Sequence, residues 1–170
     1  KEICMPQSVK LSDELIKQAR HYGDVYHRST AKQIEYWSTI GKISEENPDL
    51  PYSFIKDILL AQREVLSGDV TPYDFGWNMQ VLQSRQFAKA VKKLHANQKA
   101  DLDQAVQLLI QDPLIGDLKS GDLGGVRVYK FKMVNQLNLL AYSYEGEVLT
   151  LSLLAIGSHE NFYRDLKQSL

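Results

Sequence analysis

The sequence predicts an α+β protein in two parts, and three observations carry that reading. Segments near 126–133, 137–145 and 147–156 alternate apolar and polar residues with the two-residue period of strands. Ahead of them, stretches at 12–23, 29–47, 51–67, 87–94 and 102–109 repeat apolar residues at helical spacing. Charge divides the 170 residues unevenly. Residues 1–48 balance seven basic against seven acidic side chains, residues 49–78 set Lys56 and Arg63 against Asp49, Asp57, Glu64, Asp69 and Asp74, and residues 79–170 hold eleven Lys or Arg against nine Asp or Glu. An acidic connector ahead of a mildly basic domain suggests that one covers the other.

The first element is a short strand, because Val9 and Leu11 alternate with Ser8 and Lys10. Ser12 with Asp13 and Glu14 then supplies an N-cap and an acidic first turn, Leu15, Ile16 and Ala19 an apolar stripe, and Gly23 a stop. A second helix begins at Ser29 or Thr30, runs through Ile34, Trp37, Ile40 and Ile43, and ends at Asn47-Pro48. One strand and two helices bury too little to fold alone, so the segment 1–48 calls for a second copy whose strand pairs with its own. Residues 51–67 form a third helix through Phe54, Ile55, Ile58, Leu59 and Val65, stopped by Gly68. Val70 to Phe75 is extended, aromatic and acidic, suited either to lying across a partner or to serving as a plain linker.

Past Gly76-Trp77-Asn78, a short strand at 80–82 leads to a helix marked by Phe87, Val91 and Leu94. A second helix follows, marked by Leu102, Ala105, Val106 and Leu109 and ended by Asp112-Pro113. A Gly-rich stretch from Gly116 to Gly125 precedes the three alternating segments, with Glu145-Gly146-Glu147 as a tight turn between the last two. A terminal helix completes a β-α-α-β-β-β-α order, with the helical hairpin laid on one sheet face.

Cys4 is the sole cysteine, which excludes an internal disulfide and a thiolate metal cluster, and no apolar run approaches membrane-spanning length. A cytoplasmic protein of a reducing compartment is expected. The opening residues Lys1 to Cys4 do not resemble a secretion signal, and Met5 is the first methionine.

The segment from Val9 to Ile43 resembles the ribbon-helix-helix family of bacterial repressors, and the run His27-Arg28-Ser29-Thr30-Ala31-Lys32-Gln33-Ile34-Glu35-Tyr36-Trp37 is similar to ParD-like antitoxins. That resemblance implies a dimer on operator DNA. Ser8 and Lys10 would read base edges from a two-stranded ribbon, while the hydroxyls of Ser29 and Thr30 and nearby amides would clamp phosphates. A solvated lysine and an ordinary N-cap are the competing readings. In the same scheme residues 49–78 neutralise a toxin, with Phe54, Ile58, Tyr73 and Phe75 as the anchors.

Residues 79–170 resemble the RelE/ParE toxin superfamily over their whole length, and Met79 would serve as that part's own start. Tyr129-Lys130-Phe131-Lys132 is similar to the paired-lysine strand of RelE, and Gly157-Ser158-His159 followed by Tyr163 is similar to the Gly-Thr-His and later aromatic of YafQ. RelE-like members cleave mRNA in the ribosomal A site without a metal, so neither metal nor other cofactor is implied; ParE-like members poison DNA gyrase instead. Leu139 stands where RelE carries a strand arginine, so that role falls to Arg127 or Arg164 or is absent.

Such cleavage requires removal of a 2′-hydroxyl proton, in-line attack on the adjacent phosphate and protonation of the departing 5′-oxygen. His159 is the expected general acid or base, since an unperturbed imidazole titrates near neutrality. Lys130 and Lys132 hold phosphate, and Tyr163 or Phe162 stacks on a base or orients the leaving group. Lys119, Arg127 and Arg164 follow the RNA backbone. A structural histidine and an exposed lysine face compete with these roles. The implied partners are operator DNA, the ribosome with its mRNA, and the antitoxin part of the same or a neighbouring chain. A repressor with an inactive RelE-like assembly domain, and a gyrase inhibitor, remain alongside the nuclease.

Overall fold

The computed structural model describes residues 8–73, 81–145 and 150–158. They form two compact units, 1–42 and 43–170.

In the first unit, helix α1 covers Asp13–Val25, with the Ser12 hydroxyl accepting from the Leu15 amide at 3.3 Å and Asp13 and Glu14 in the first turn. It runs past Gly23, which is buried inside the helix rather than stopping it. A Cβ at Gly23 would come within 2.5 Å of the Arg28 carbonyl oxygen, so glycine is there to let the returning chain pass. Helix α2, Thr30–Glu46, starts where the Ser29 hydroxyl accepts from the Lys32 amide. Arg28 lies 4.0 Å over the Tyr36 ring and donates to Gln33 Oε1, and Tyr22 meets Trp37 edge-on. Residues 8–12 do not form the expected strand. A single chain offers that segment no strand to pair with, so its amides stay with solvent.

The second unit is a six-stranded sheet with helices. Helix α3 spans Tyr52–Leu66, strand β1 Val70–Pro72, β2 Val81–Ser84, helix α4 Arg85–Val91 and α5 Ala96–Gln111. A two-residue strand β3, Asp117–Leu118, and a 3-10 turn at Gly121–Leu123 lead into β4, Val126–Met133, then β5, Gln136–Glu145, and β6, Thr150–Ser158. The sheet order is β1-β2-β6-β5-β4-β3, with β2 parallel to β6 and every other pair antiparallel. Glu145 of the expected turn ends β5, while Gly146 and Glu147 and the terminal helix lie outside the described residues. Positive φ at Val134 and Asn135 makes the β4–β5 connection the tight two-residue kind that suits twisted strands.

Alternation on β4 divides the two faces. Phe131 and Met133, with Leu140, Tyr142 and Leu153 of the neighbouring strands, pack on Phe87 of α4 and on Leu102, Ala105, Val106 and Leu109 of α5. Val126, Val128, Lys130 and Lys132 point to the opposite face. There β5 contributes Leu139 and β6 contributes Gly157, and α3 lies against β6 with its buried Phe54.

Candidate functional site

The register sets Lys130 of β4, Leu139 of β5 and Gly157 of β6 in one row across the sheet, its ends about 10 Å apart by strand spacing. Both ends are contacted from the antitoxin side, one by the first turn of α3 and the other by the segment that joins α2 to α3. At the Gly157 end the Phe54 ring lies so close that an added Cβ would stand 3.0 Å from its Cδ2. At the Lys130 end the Asp49 carboxylate approaches the ammonium to 3.5 Å, with Asp117 at 3.7 Å.

Asp49 is shared. Its two oxygens accept from Lys119 Nζ at 2.8 and 3.0 Å, and only 7 % of the Lys119 side chain is exposed. Burial alone would raise the Asp49 carboxyl, but the Lys119 hydrogen bond and the charges of Lys119 and Lys130 outweigh it and hold the group below the ordinary carboxylate range. The neighbouring residues fasten the same loop. Asn47 accepts from the Ser120 amide at 3.2 Å and donates to its carbonyl at 3.4 Å, and Glu46 lies over Gly121, whose φ of 60° and lack of a side chain admit it. The stretch 46–49 thus clamps 119–121.

A second anchor lies at the sheet's other end. Strand β1 pairs with β2, the Tyr73 amide donates to the Val81 carbonyl, and Gln83 reaches the Pro72 carbonyl. The Tyr73 ring is buried edge-on to Phe87, and its hydroxyl donates to Asp103 at 2.6 Å while Lys99 donates to it at 3.2 Å. Burial and the Asp103 carboxylate both push that phenol upward, so it stays protonated. Between the anchors, Glu64 accepts from the Gln86 amide, Asp57 from the Gln86 side chain, and Asp69 pairs with Arg85 at 2.9 Å.

The residues singled out from sequence are distributed as follows. Phe54, Ile58 and Tyr73 are buried in this unit, and Phe54 and Tyr73 are the two anchors just described. Lys130 and Lys132 share a face, and Lys132 is exposed. Lys119, expected on an RNA backbone, is instead committed to Asp49. Arg127, expected to replace a catalytic arginine or to meet RNA, donates to the Leu114 and Gly116 carbonyls at 3.0 and 2.8 Å and so holds the loop before β3. Ser29 is the α2 N-cap, Thr30 is the first residue of that helix, and Ser8 and Lys10 are exposed ahead of α1. Phe75, His159, Phe162, Tyr163 and Arg164 lie outside the described residues. Sequence reasoning missed Glu46, Asn47 and Asp49 as contact residues; the one signal was Asp49's membership of the acidic connector.

Helix α3 and strand β1 thus rest on the sheet that β2 and β4–β6 build, and the comparisons divide the chain between β1 and β2. Residues 81–167, just over half of the chain, match the family of ParE-like toxins of type II bacterial toxin-antitoxin systems, and residues 6–72 match the ParD-like antitoxins of such systems. The chain belongs to the ParE-like toxin family and carries an antitoxin segment ahead of the toxin. Strand β1 ends the antitoxin match and β2 opens the toxin match, so their pairing adds an antitoxin strand to the toxin sheet. Among solved structures, the isolated E. coli RelE toxin is similar at 18 % identity and TM-score 0.40, over 53 % of this chain and 97 % of that one. No curated protein matches.

Proposed function

We propose that this chain is a self-neutralising toxin-antitoxin module whose toxin domain, once uncovered, cleaves mRNA on the ribosome. The observation that carries the reading is the coverage of the Lys130–Gly157 row by Asp49 and Phe54 of the antitoxin segment. A nuclease needs fixed positive charge where phosphate charge grows, and Lys130 and Lys132 offer it from one strand. His159, two residues beyond Gly157, takes the proton from the 2′-hydroxyl or returns one to the 5′-oxygen, and Tyr163 or Phe162 stacks on a base. The oxygen freed of its proton attacks the adjacent phosphate, and the bond to the 5′-oxygen breaks. Asp49 on Lys130 and Phe54 over Gly157 compete with a phosphate for the two ends of that row.

The N-terminal unit is proposed to bind operator DNA as a dimer, with residues 8–11 of two copies pairing into a ribbon that carries Lys10 and Ser8 into the major groove. This would let the module repress its own transcription from the cytoplasm.

Gyrase inhibition is the second reading, favoured by the match to the ParE-like family. Phe54→Asp removes the ring from Gly157 and uncovers that end of the row. The full-length variant is expected to cut mRNA on programmed ribosomes while the unsubstituted chain does not. Inhibited supercoiling by gyrase with intact mRNA would move the conclusion to the second reading, and inactivity in both assays would leave an assembly domain.

A further inference from the structure

We propose that the Asp49 carboxylate is an internal stand-in for a substrate phosphate, seated between Lys119 and Lys130, so that neutralisation works by occupying an anion seat and not by coverage alone. The inference rests on the toxin reading of residues 81–167 and concerns how that site is regulated. One carboxylate bridges two ammonium groups, as the unbridged oxygens of a phosphodiester would. The two lysines belong to the toxin match and the carboxylate to the antitoxin match, so the seat is made by one partner and filled by the other.

The burial of Lys119 gives the arrangement its consequence. An ammonium with 7 % of its side chain exposed requires a counter-charge, and among the described residues Asp49 is the one that supplies it. Asp117 approaches Lys130 at 3.7 Å and is itself largely exposed. Withdrawal of the antitoxin segment therefore leaves Lys119 with an unmet charge beside Lys130, and an anion from solution is the natural replacement. Lys132, exposed two residues further along the same face, extends the positive row in the direction a polymer of phosphates would take, which favours single-stranded RNA over a small free anion. The clamp of Glu46 and Asn47 on Ser120 and Gly121 delivers Asp49 to the pair.

The test uses the full chain with Asp49→Asn, which keeps the shape and removes the charge. Binding of a fluorescein-labelled RNA hexamer is read by anisotropy, and that of inorganic phosphate by calorimetry, both at low ionic strength. Both are expected to tighten by roughly tenfold or more relative to the unsubstituted chain, and adding Lys119→Met is expected to abolish the gain. Unchanged binding of both ligands overturns the proposal, as does a gain that survives Lys119→Met; a gain for phosphate without the hexamer overturns its substrate half. If Asp49→Asn melts early, phosphate should raise its Tm and leave that of the unsubstituted chain in place, and no rise again counts against the seat. Tighter binding with no variant able to cut mRNA keeps the anion seat and removes the nuclease reading. Cleavage released by Phe54→Asp with no gain in Asp49→Asn does the reverse.

Discussion

Asp49 is the residue on which stability and the proposed inhibition meet. Its folded carboxyl lies below its unfolded value of 3.8, so its contribution is fully present at neutral pH and is lost as pH falls below about 4 through the folded value. Chemical denaturation followed from pH 7 to pH 3 should therefore show an acid loss that Asp49→Asn lacks. At pH 7 the substitution should cost about 1–3 kcal/mol, since it leaves the buried Lys119 without its charged partner while Asp49 itself is partly in water. Asp57 behaves oppositely. Burial raises its carboxyl despite the Gln86 hydrogen bond, so its contribution is greatest in acid and declines as pH rises through the folded value. Tyr73→Phe removes one hydroxyl from the Asp103–Lys99 pair and keeps the ring on Phe87. A loss of about 1–2 kcal/mol is expected in the same measurement, and no change would show that the ring alone anchors the tail.

At the scale of elements, α3 and β1 hold the toxin sheet in different ways. Strand β1 extends it through main-chain hydrogen bonds that most sequences could make, whereas α3 packs by side chains, with Phe54, Ile55, Ile58 and Ala61 buried and the Phe54 ring over Gly157. Gly157→Ala should cost about 1–3 kcal/mol by forcing Phe54 off its seat, and much less in a Phe54→Leu background, because the shorter side chain leaves room. Equal cost in both backgrounds would mean that the added methyl strains β6 rather than the contact with α3.

Sequence periodicity was sufficient to locate α1, α2, α3 and α5 and the long strands β4, β5 and β6, since each has a local signal in its caps, its stripe or its alternation. The pairing of β1 with β2 and the two residues of β3 had no such signal, because a short edge strand is defined by a partner distant in sequence. The same limit governed the site. Lys119 and Asp49 read as an exposed cation and a linker acid because the hydrogen bonds that join them span seventy residues. Arg127 read as a candidate for RNA because nothing local shows the carbonyls of Leu114 and Gly116 waiting for it. The face shared by Lys130 and Lys132 was legible from spacing alone, because strand alternation is a property of the chain itself.

For the whole molecule, the proposed neutralisation within one chain would not depend on concentration, since the inhibitor is tethered to its target. Coverage then has to be loosened rather than diluted away. DNA binding is proposed for the N-terminal unit, so Lys10→Ala should weaken operator binding in a gel shift at fixed salt while growth of cells expressing the chain is unaffected; growth arrest from that substitution would mean that the N-terminal unit also restrains the toxin.

The most direct test is growth of bacteria expressing the full chain against the chain carrying Asp49→Asn with Phe54→Asp, each with and without His159→Gln. The unsubstituted chain is expected to be tolerated, the double substitution to arrest growth and fragment mRNA, and His159→Gln to restore growth without restoring the covered face. Arrest by the unsubstituted chain, or tolerance of the double substitution when hydrogen exchange shows α3 released from β6, would contradict neutralisation by the antitoxin segment of the same chain.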